Sequence, residues 1–174
     1  MKIFKKKSGH KWEDRAQANT NAHGKYRTEV EARVAQAGGK IADSGSVCFC
    51  LSWDDKVDLD IHCKLPSYNE NLGYEDKDNM CYYANKNPKK YISLDVDKQA
   101  HDYGKQVENI VLKTAGIPDG VYKYFVRYYS GHGGPVDFKF VLNEFGKKIH
   151  QGIGTSRREP TKDCPVADVT IEDG

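Results

Sequence analysis

The sequence predicts an all-β fold: a two-sheet antiparallel β-sandwich, jelly-roll-like, with a short N-terminal helix and a basic arm. Three observations predict it. Eleven Tyr, six Phe and sixteen Gly among 174 residues suit pleated surfaces and tight turns better than a helical bundle. From Ser46 onward, short runs of alternating apolar and polar residues recur between clusters of Gly, Pro, Asn and Asp. No strand-helix-strand rhythm and no repeat of fixed period interrupts them. The length and the 38% hydrophobic content fit one domain with a core, not two. The expected organisation is an arm over residues 1–45, a sandwich over 46–150 and a C-terminal extension over 151–174 that can add a strand.

Taken in order, the first element is a helix. Thr28 and Glu31 form a capping box, Glu29 and Arg33 are spaced i, i+4, Val30 and Val34 share a face, and Gly38-Gly39 ends the pattern. It is too short to stand alone and must pack on something. The strands follow: "SVCFCLSW", "KVDLDIHCKL", "NMCYYAN", "YISLDVD", "VENIVLK", "GVYKYFVRYYS", "PVDFKFVLNEF", "KKIHQG" and "VADVTIE". In "VYKYFVRYY", Tyr122, Tyr124, Val126 and Tyr128 lie on one side and Val121, Phe125 and Tyr129 on the other, the pattern of a central strand packed on both faces. Val136, Phe138, Phe140 and Leu142 alternate with polar residues in a hairpin partner reached through "GHGGP". "PSYNENLGYEDKDN" reads as a polar surface loop.

The net charge of +2 hides an asymmetry. Residues 1–40 carry ten Lys and Arg against four Asp and Glu, leaving 17 against 21 for the remainder. The basic arm, with Lys5, Lys6, Lys7, Lys11 and Arg15, is therefore expected to contact partner protein subunits. A lysine run followed by mixed charge argues against specific nucleic-acid binding. Five cysteines, Cys48, Cys50, Cys63, Cys81 and Cys164, include no C-x-x-C pair and cannot all pair, so reduced buried thiols are expected. The opening "MKIFKKKSGHKWEDR" has no apolar run after it, and 18 consecutive apolar residues occur nowhere. An intracellular life, or incorporation in a large assembly such as a virion, is expected.

The alternation in "KVDLDIHCKLP" buries Val57, Leu59, Ile61 and Cys63 and leaves Asp58, Asp60, His62 and Lys64 on the other face. Two carboxylates in one row repel unless a cation lies between them. Asp95 and Asp97 of "SLDVD" repeat the pattern, and Glu108, Asp54 and Asp55 add further oxygens. Two D-x-D strands side by side would converge hard oxygen ligands of the kind Ca²⁺ prefers. The central Gly and loop spacing of an EF-hand are missing. His62 beside the aspartates is a candidate partner for them, and Trp53 is a candidate platform for a ligand or a plug for the core end. No G-x-S-x-G elbow, P-loop, H-E-x-x-H or dinucleotide glycine fingerprint is present, so a non-enzymatic role is expected. "GHGG" at residues 131–134 reads as a hairpin turn and "GIGTSRREP" as a basic loop.

"LSWDDKVDLDIHCKLP", "CYYANK", "LDVD", "VENIV", "PDGVYKYFVRYY" and "VDFKFVLNEFGK" together resemble the bacterial YfaP-like domain of unknown function over roughly residues 46–150. That family is similar in pattern to the pre-peptidase C-terminal β-sandwiches, which bind calcium, and more remotely to the tellurium-resistance domains. The resemblance implies a calcium site at Asp58, Asp60, Asp95, Asp97 and Glu108, with His62 as orienting neighbour. The family's glycine-rich approach to the glutamate is reduced here to Gly104, and a long insertion, Ser67 to Asn79, follows the D-L-D strand. The expected function is a non-enzymatic module that binds a divalent cation and partner proteins as a structural or assembly component. The alternative is a carbohydrate-binding module that uses exposed Tyr and Trp near the metal; an unrecognised hydrolase is the third reading.

Overall fold

Period-two alternation becomes two stacked antiparallel sheets in the computed structural model, which describes residues 2–7, 9–16, 28–43, 45–98, 106–144, 148–158 and 163–172. The strands are β1 (Lys2–Lys6), β2 (Lys11–Ala16), β3 (Ser46–Trp53), β4 (Asp58–Lys64), β5 (Met80–Cys81), β6 (Ile92–Val96), β7 (Gln106–Lys113), β8 (Gly120–Ser130), β9 (Val136–Glu144), β10 (Lys148–Ser156) and β11 (Asp163–Ile171); the helix is α1 (Glu29–Gln36). One sheet has the order β1-β11-β8-β4-β5 and the other β2-β10-β9-β3-β7-β6. Between them lies one apolar layer. Leu59, Ile61 and Cys63 of β4 and the inner row of β8, Tyr122 to Tyr128, face Phe49 and Leu51 of β3, Phe138 and Phe140 of β9, and Ile110 and Leu112 of β7. Each is at most 1% exposed, so this layer supplies most of the hydrophobic stabilisation.

Two smaller clusters cover the outer faces. Helix α1 is capped as expected, with Thr28 Oγ1 accepting from the Glu31 amide at 3.1 Å. It lays Val30 and Val34 on Cys48, Cys50, Val107 and Val141 of the six-stranded sheet. Arg33 ties it down, donating to Ser52 Oγ at 2.7 Å, Asp54 at 2.8 Å and Glu29 at 2.6 Å. On the five-stranded sheet, Tyr68 packs with Met80, Tyr82 and Phe125, so the polar connection 66–79 roofs part of the outer face. That roof is why β8 is packed on both sides where Phe125 lies, while Tyr129, further along, is 51% exposed. The "GHGG" segment is not the expected hairpin turn: β8 pairs with β11 and β4 while β9 pairs with β10 and β3, so the segment carries the chain from one sheet to the other, with Gly131 and Gly133 at φ of 144° and 82°, conformations that glycine adopts without strain.

The expected arm is a pair of strands instead. β1 pairs with β11 and β2 with β10, so residues 2–16 add an edge strand to each sheet. The C-terminal extension is equally integral, because β11 runs between β1 and β8. Unpaired edges of β10 and β11 would expose rows of backbone donors and acceptors, and this N-terminal segment supplies their partners. Lys7 is correspondingly engaged, its Nζ lying 2.7 Å from Asp168, and Lys6 Nζ lies 5.5 Å from the centre of the Trp12 ring. Lys11 is exposed, and the side chains of Lys5 and Arg15 lie outside the described residues. All five cysteines are free. No helix among the described residues is long and apolar enough to cross a membrane.

The seating of β2 is testable at Gly152, which pairs with Trp12 on one side and Phe140 on the other. A Cβ there would collide with the Phe140 ring and lie 2.5 Å from the Lys11 carbonyl oxygen. Gly152→Ala should therefore cost about 1–3 kcal/mol, as overpacking does. Urea denaturation followed by tryptophan fluorescence checks it; an unchanged midpoint would mean that β2 is not held on β10.

Candidate metal centre

The centre begins with a gap in backbone pairing. β5 covers β4 only at Cys63 and Lys64, which leaves the Ile61 amide at an open edge. A buried amide needs an acceptor. Glu108, on the β7 row that also carries Ile110 and Leu112, reaches across the seam and accepts it with Oε2 at 2.6 Å. Asp60, next to Ile61, brings its own carboxylate to the same place. The third comes from the end of β6, where an irregularity between Leu94 and Val96 breaks the register with β7. Leu94 belongs to the main core but Val96 to the helix-covered cluster. This bulge inverts the alternation, so that Asp95 faces outward and Asp97 inward.

Asp60, Asp97 and Glu108 consequently each place an oxygen within 4.8 Å of the other two. Asp60 is 4% exposed and Glu108 fully buried. Among the described residues, Asp60 Oδ2 and Glu108 Oε1 have no hydrogen-bond partner. Asp97 is ion-paired with Lys86 Nζ at 2.7 Å. Burial, followed by the charges of Asp58 and Asp97, pushes the Asp60 carboxyl up to about 7 against a weaker opposing effect of Arg127. Burial, then Asp60, holds Glu108 well above the usual carboxylate range, although the Ile61 amide favours its ionised form. Three carboxyl groups this close can be reconciled in two ways: they keep protons, or a cation sits among them. The donor set is all hard oxygen and contains neither sulfur nor imidazole, which fits Ca²⁺ or Mg²⁺ better than a softer metal.

The five residues expected as ligands are thus divided. Asp60, Asp97 and Glu108 converge; Asp58 stands at the start of β4, outside the trio, and acts on it through its charge. Asp95 is engaged elsewhere, accepting from the Lys40 amide at 2.6 Å and from Asn109 Nδ2 at 2.7 Å. His62 does not orient the carboxylates. Its ring is fully buried, stacked on Phe125 at 4.8 Å and on Tyr82 at 5.4 Å, and burial lowers its imidazole to about 3. Asp54 is held by Arg33, and Asp55 by His132 at 3.0 Å. Trp53 plugs the core end, 2% exposed, with Nε1 donating to the Val57 carbonyl at 2.8 Å. Lys86 was not foreseen. Nothing local marks it, because a turn rather than a strand brings it to Asp97.

Comparison of the chain with family models, with curated proteins and with solved structures returns no match.

Metal-free protein should show the buried carboxyls directly. Between the unfolded value near 4 and the folded value near 7, native Asp60 holds more proton than the unfolded chain, so stability declines as pH rises. Asp60 alone should remove about 2–3 kcal/mol between pH 5 and pH 8. Urea unfolding in chelator at the two pH values measures it, as the difference between the wild-type slope and that of Asp60→Asn, which keeps the share of Glu108. A wild-type slope equal to that of the variant would show that Asp60 titrates normally.

Proposed function

We propose that this chain is a non-enzymatic β-sandwich module that holds a divalent cation, calcium as the motif resemblance implies, in the seam between its sheets, and acts as a structural, partner-binding component of a larger assembly. The observation that carries the reading is the pair of buried, unpartnered carboxylate oxygens on Asp60 and Glu108 beside Asp97. Asp60, Asp97 and Glu108 would hold the ion, which would supply the positive charge the seam lacks. Its anchors sit on β4, on β7 and just past β6, so it would cross-link the two sheets where β4, paired with β8 on one side, has lost β5 on the other. The depth of the site favours a structural ion over one that meets substrate. The same calcium chemistry is what the motif resemblance to YfaP-like domains implies. A carbohydrate-binding role is the second reading. It is favoured by Tyr83 and Tyr129, 41% and 51% exposed with ring centres 5.5 Å apart, whereas Trp53 is too buried to take part.

Thermal melting at pH 7.5 with calcium or with chelator tests the proposal. Calcium at several hundred to a thousand times its dissociation constant should stabilise the fold by roughly 3–4 kcal/mol, and at pH 5 the gain should shrink as protons compete. Asp60→Asn should abolish most of the response while raising the metal-free stability at pH 7.5 by roughly 4 kcal/mol. Asp95→Asn should leave the response intact, because Asp95 faces the other way. Indifference of wild type to calcium and to magnesium at pH 7.5 would overturn the cation reading. Binding on a glycan array that is lost in a Tyr83→Ala, Tyr129→Ala variant would favour the second reading.

A further inference from the structure

Beside β6 the chain forms an open groove of about 800 Å³ whose lining includes Lys40, Lys89, Lys90 and Lys113 together with Tyr91 and Ser93, and no carboxylate. Lys40, Lys90 and Lys113 are exposed and Lys89 is half-buried. Among the described residues, none of the four ammonium groups forms an ion pair with a carboxylate, whereas Lys7, Lys64, Lys86, Lys123 and Lys139 all do. The concentration of charge is local, since residues beyond 40 carry 17 basic against 21 acidic side chains. Clustered like charges repel, and the carboxylate beside them, Asp95, accepts from the Lys40 amide and the Asn109 side chain.

The backbone beneath the lysines is held in place from three directions. The Lys113 amide donates to the Tyr91 carbonyl at 2.8 Å, and the Ile92 amide to the Lys89 carbonyl at 3.3 Å. Lys40 is fixed at both ends of its peptide unit, its amide donating to Asp95 Oδ2 and its carbonyl accepting from Asn109 Nδ2 at 2.8 Å. The four lysines therefore line a preformed concavity of the size that takes a small ligand. Lysine offers point charges and no planar fork. The aromatic residue in the lining, Tyr91, is half-buried and set edge-on to Tyr122 with ring centres 6.4 Å apart, so it is no open platform for stacking a nucleic-acid base. A compact ligand dense in negative charge matches these features better than a single strand of nucleic acid.

We propose that this groove binds a small polyphosphate, with three or more linked or clustered phosphate groups, through Lys40, Lys89, Lys90 and Lys113. The site is separate from the carboxylate trio and does not depend on the cation reading.

Titration calorimetry of the full chain with inorganic tripolyphosphate, in chelator at pH 7.5 and low salt, tests it. Tripolyphosphate should bind one to one and at least tenfold more tightly than orthophosphate. Lys89→Gln, Lys113→Gln together should weaken it at least tenfold, and Lys123→Gln, on the other sheet, should leave it unchanged. Affinity should fall as salt rises. No binding by wild type, or equal binding by the double variant, would overturn the proposal and leave the lysines as a charged guard on the sheet edge. Tighter binding of an oligothymidylate or of polyglutamate than of tripolyphosphate, with the same lysine dependence, would overturn the assignment to a small ligand.

Discussion

The hydrogen bond from the Ile61 amide to the Glu108 carboxylate crosses from one sheet to the other, and much of the molecule is arranged around it. A strand that loses its neighbour inside a protein must find acceptors for its amides, because an unpaired buried donor costs about as much as the bond itself. β4 loses β5 after two residues. An acceptor from the facing sheet solves the pairing, but only a side chain long enough to span the seam can do it, and glutamate brings a charge. Burial of that charge then sets the character of its surroundings: neighbouring Asp60 and Asp97 cannot all ionise at ordinary cost, and the trio is drawn toward protons or a cation.

The bulge in β6 sorts two aspartates into two tasks. Without it, Asp95 and Asp97 would share a face and compete for the same surroundings. With it, Asp97 joins the trio in the seam, while Asp95 turns outward and grips Lys40 and Asn109. The outward grip fixes the segment that carries the first lysine of the basic groove. The two proposed ligands, one cationic and one anionic, would thus be served from opposite faces of the same short edge strand. Such edges are where sheets most readily accept irregularity, since only one neighbour constrains them.

The outer layers follow the same economy of partners. Helix α1 covers the thiols of Cys48 and Cys50, and burial raises both of them above the ordinary thiol range. The 66–79 connection covers Phe125 and His62 on the other side, and burial keeps the imidazole there neutral. Both covers bring small apolar clusters to sheet faces that would otherwise present hydrophobic surface to water.

Local chemistry was enough to determine the all-β class, the helix with its Thr28 cap, and the inner rows of β4, β8 and β9, because side-chain alternation and capping act over a few residues; it marked a turn at "GHGG" but not that the turn passes from one sheet to the other. It also offered Asp60 and Asp97, together with Asp58 and Asp95, as D-x-D pairs, and Glu108 as a further oxygen. Tertiary structure alone decided which of the five candidate ligands meet. A period of two predicts that Asp95 and Asp97 point the same way, and one extra residue in β6, visible only against its pairing with β7, reverses that. His62 was assigned to the aspartates by proximity in the chain, whereas its surroundings come from Phe125 and Tyr82, distant in sequence. The basic N-terminal residues read as an arm because their composition is polar, yet strands form when a partner edge is available, and that edge is supplied by β10 and β11 more than a hundred residues away. Burial of a row is written in the row itself; the neighbour across the sheet is written elsewhere in the chain.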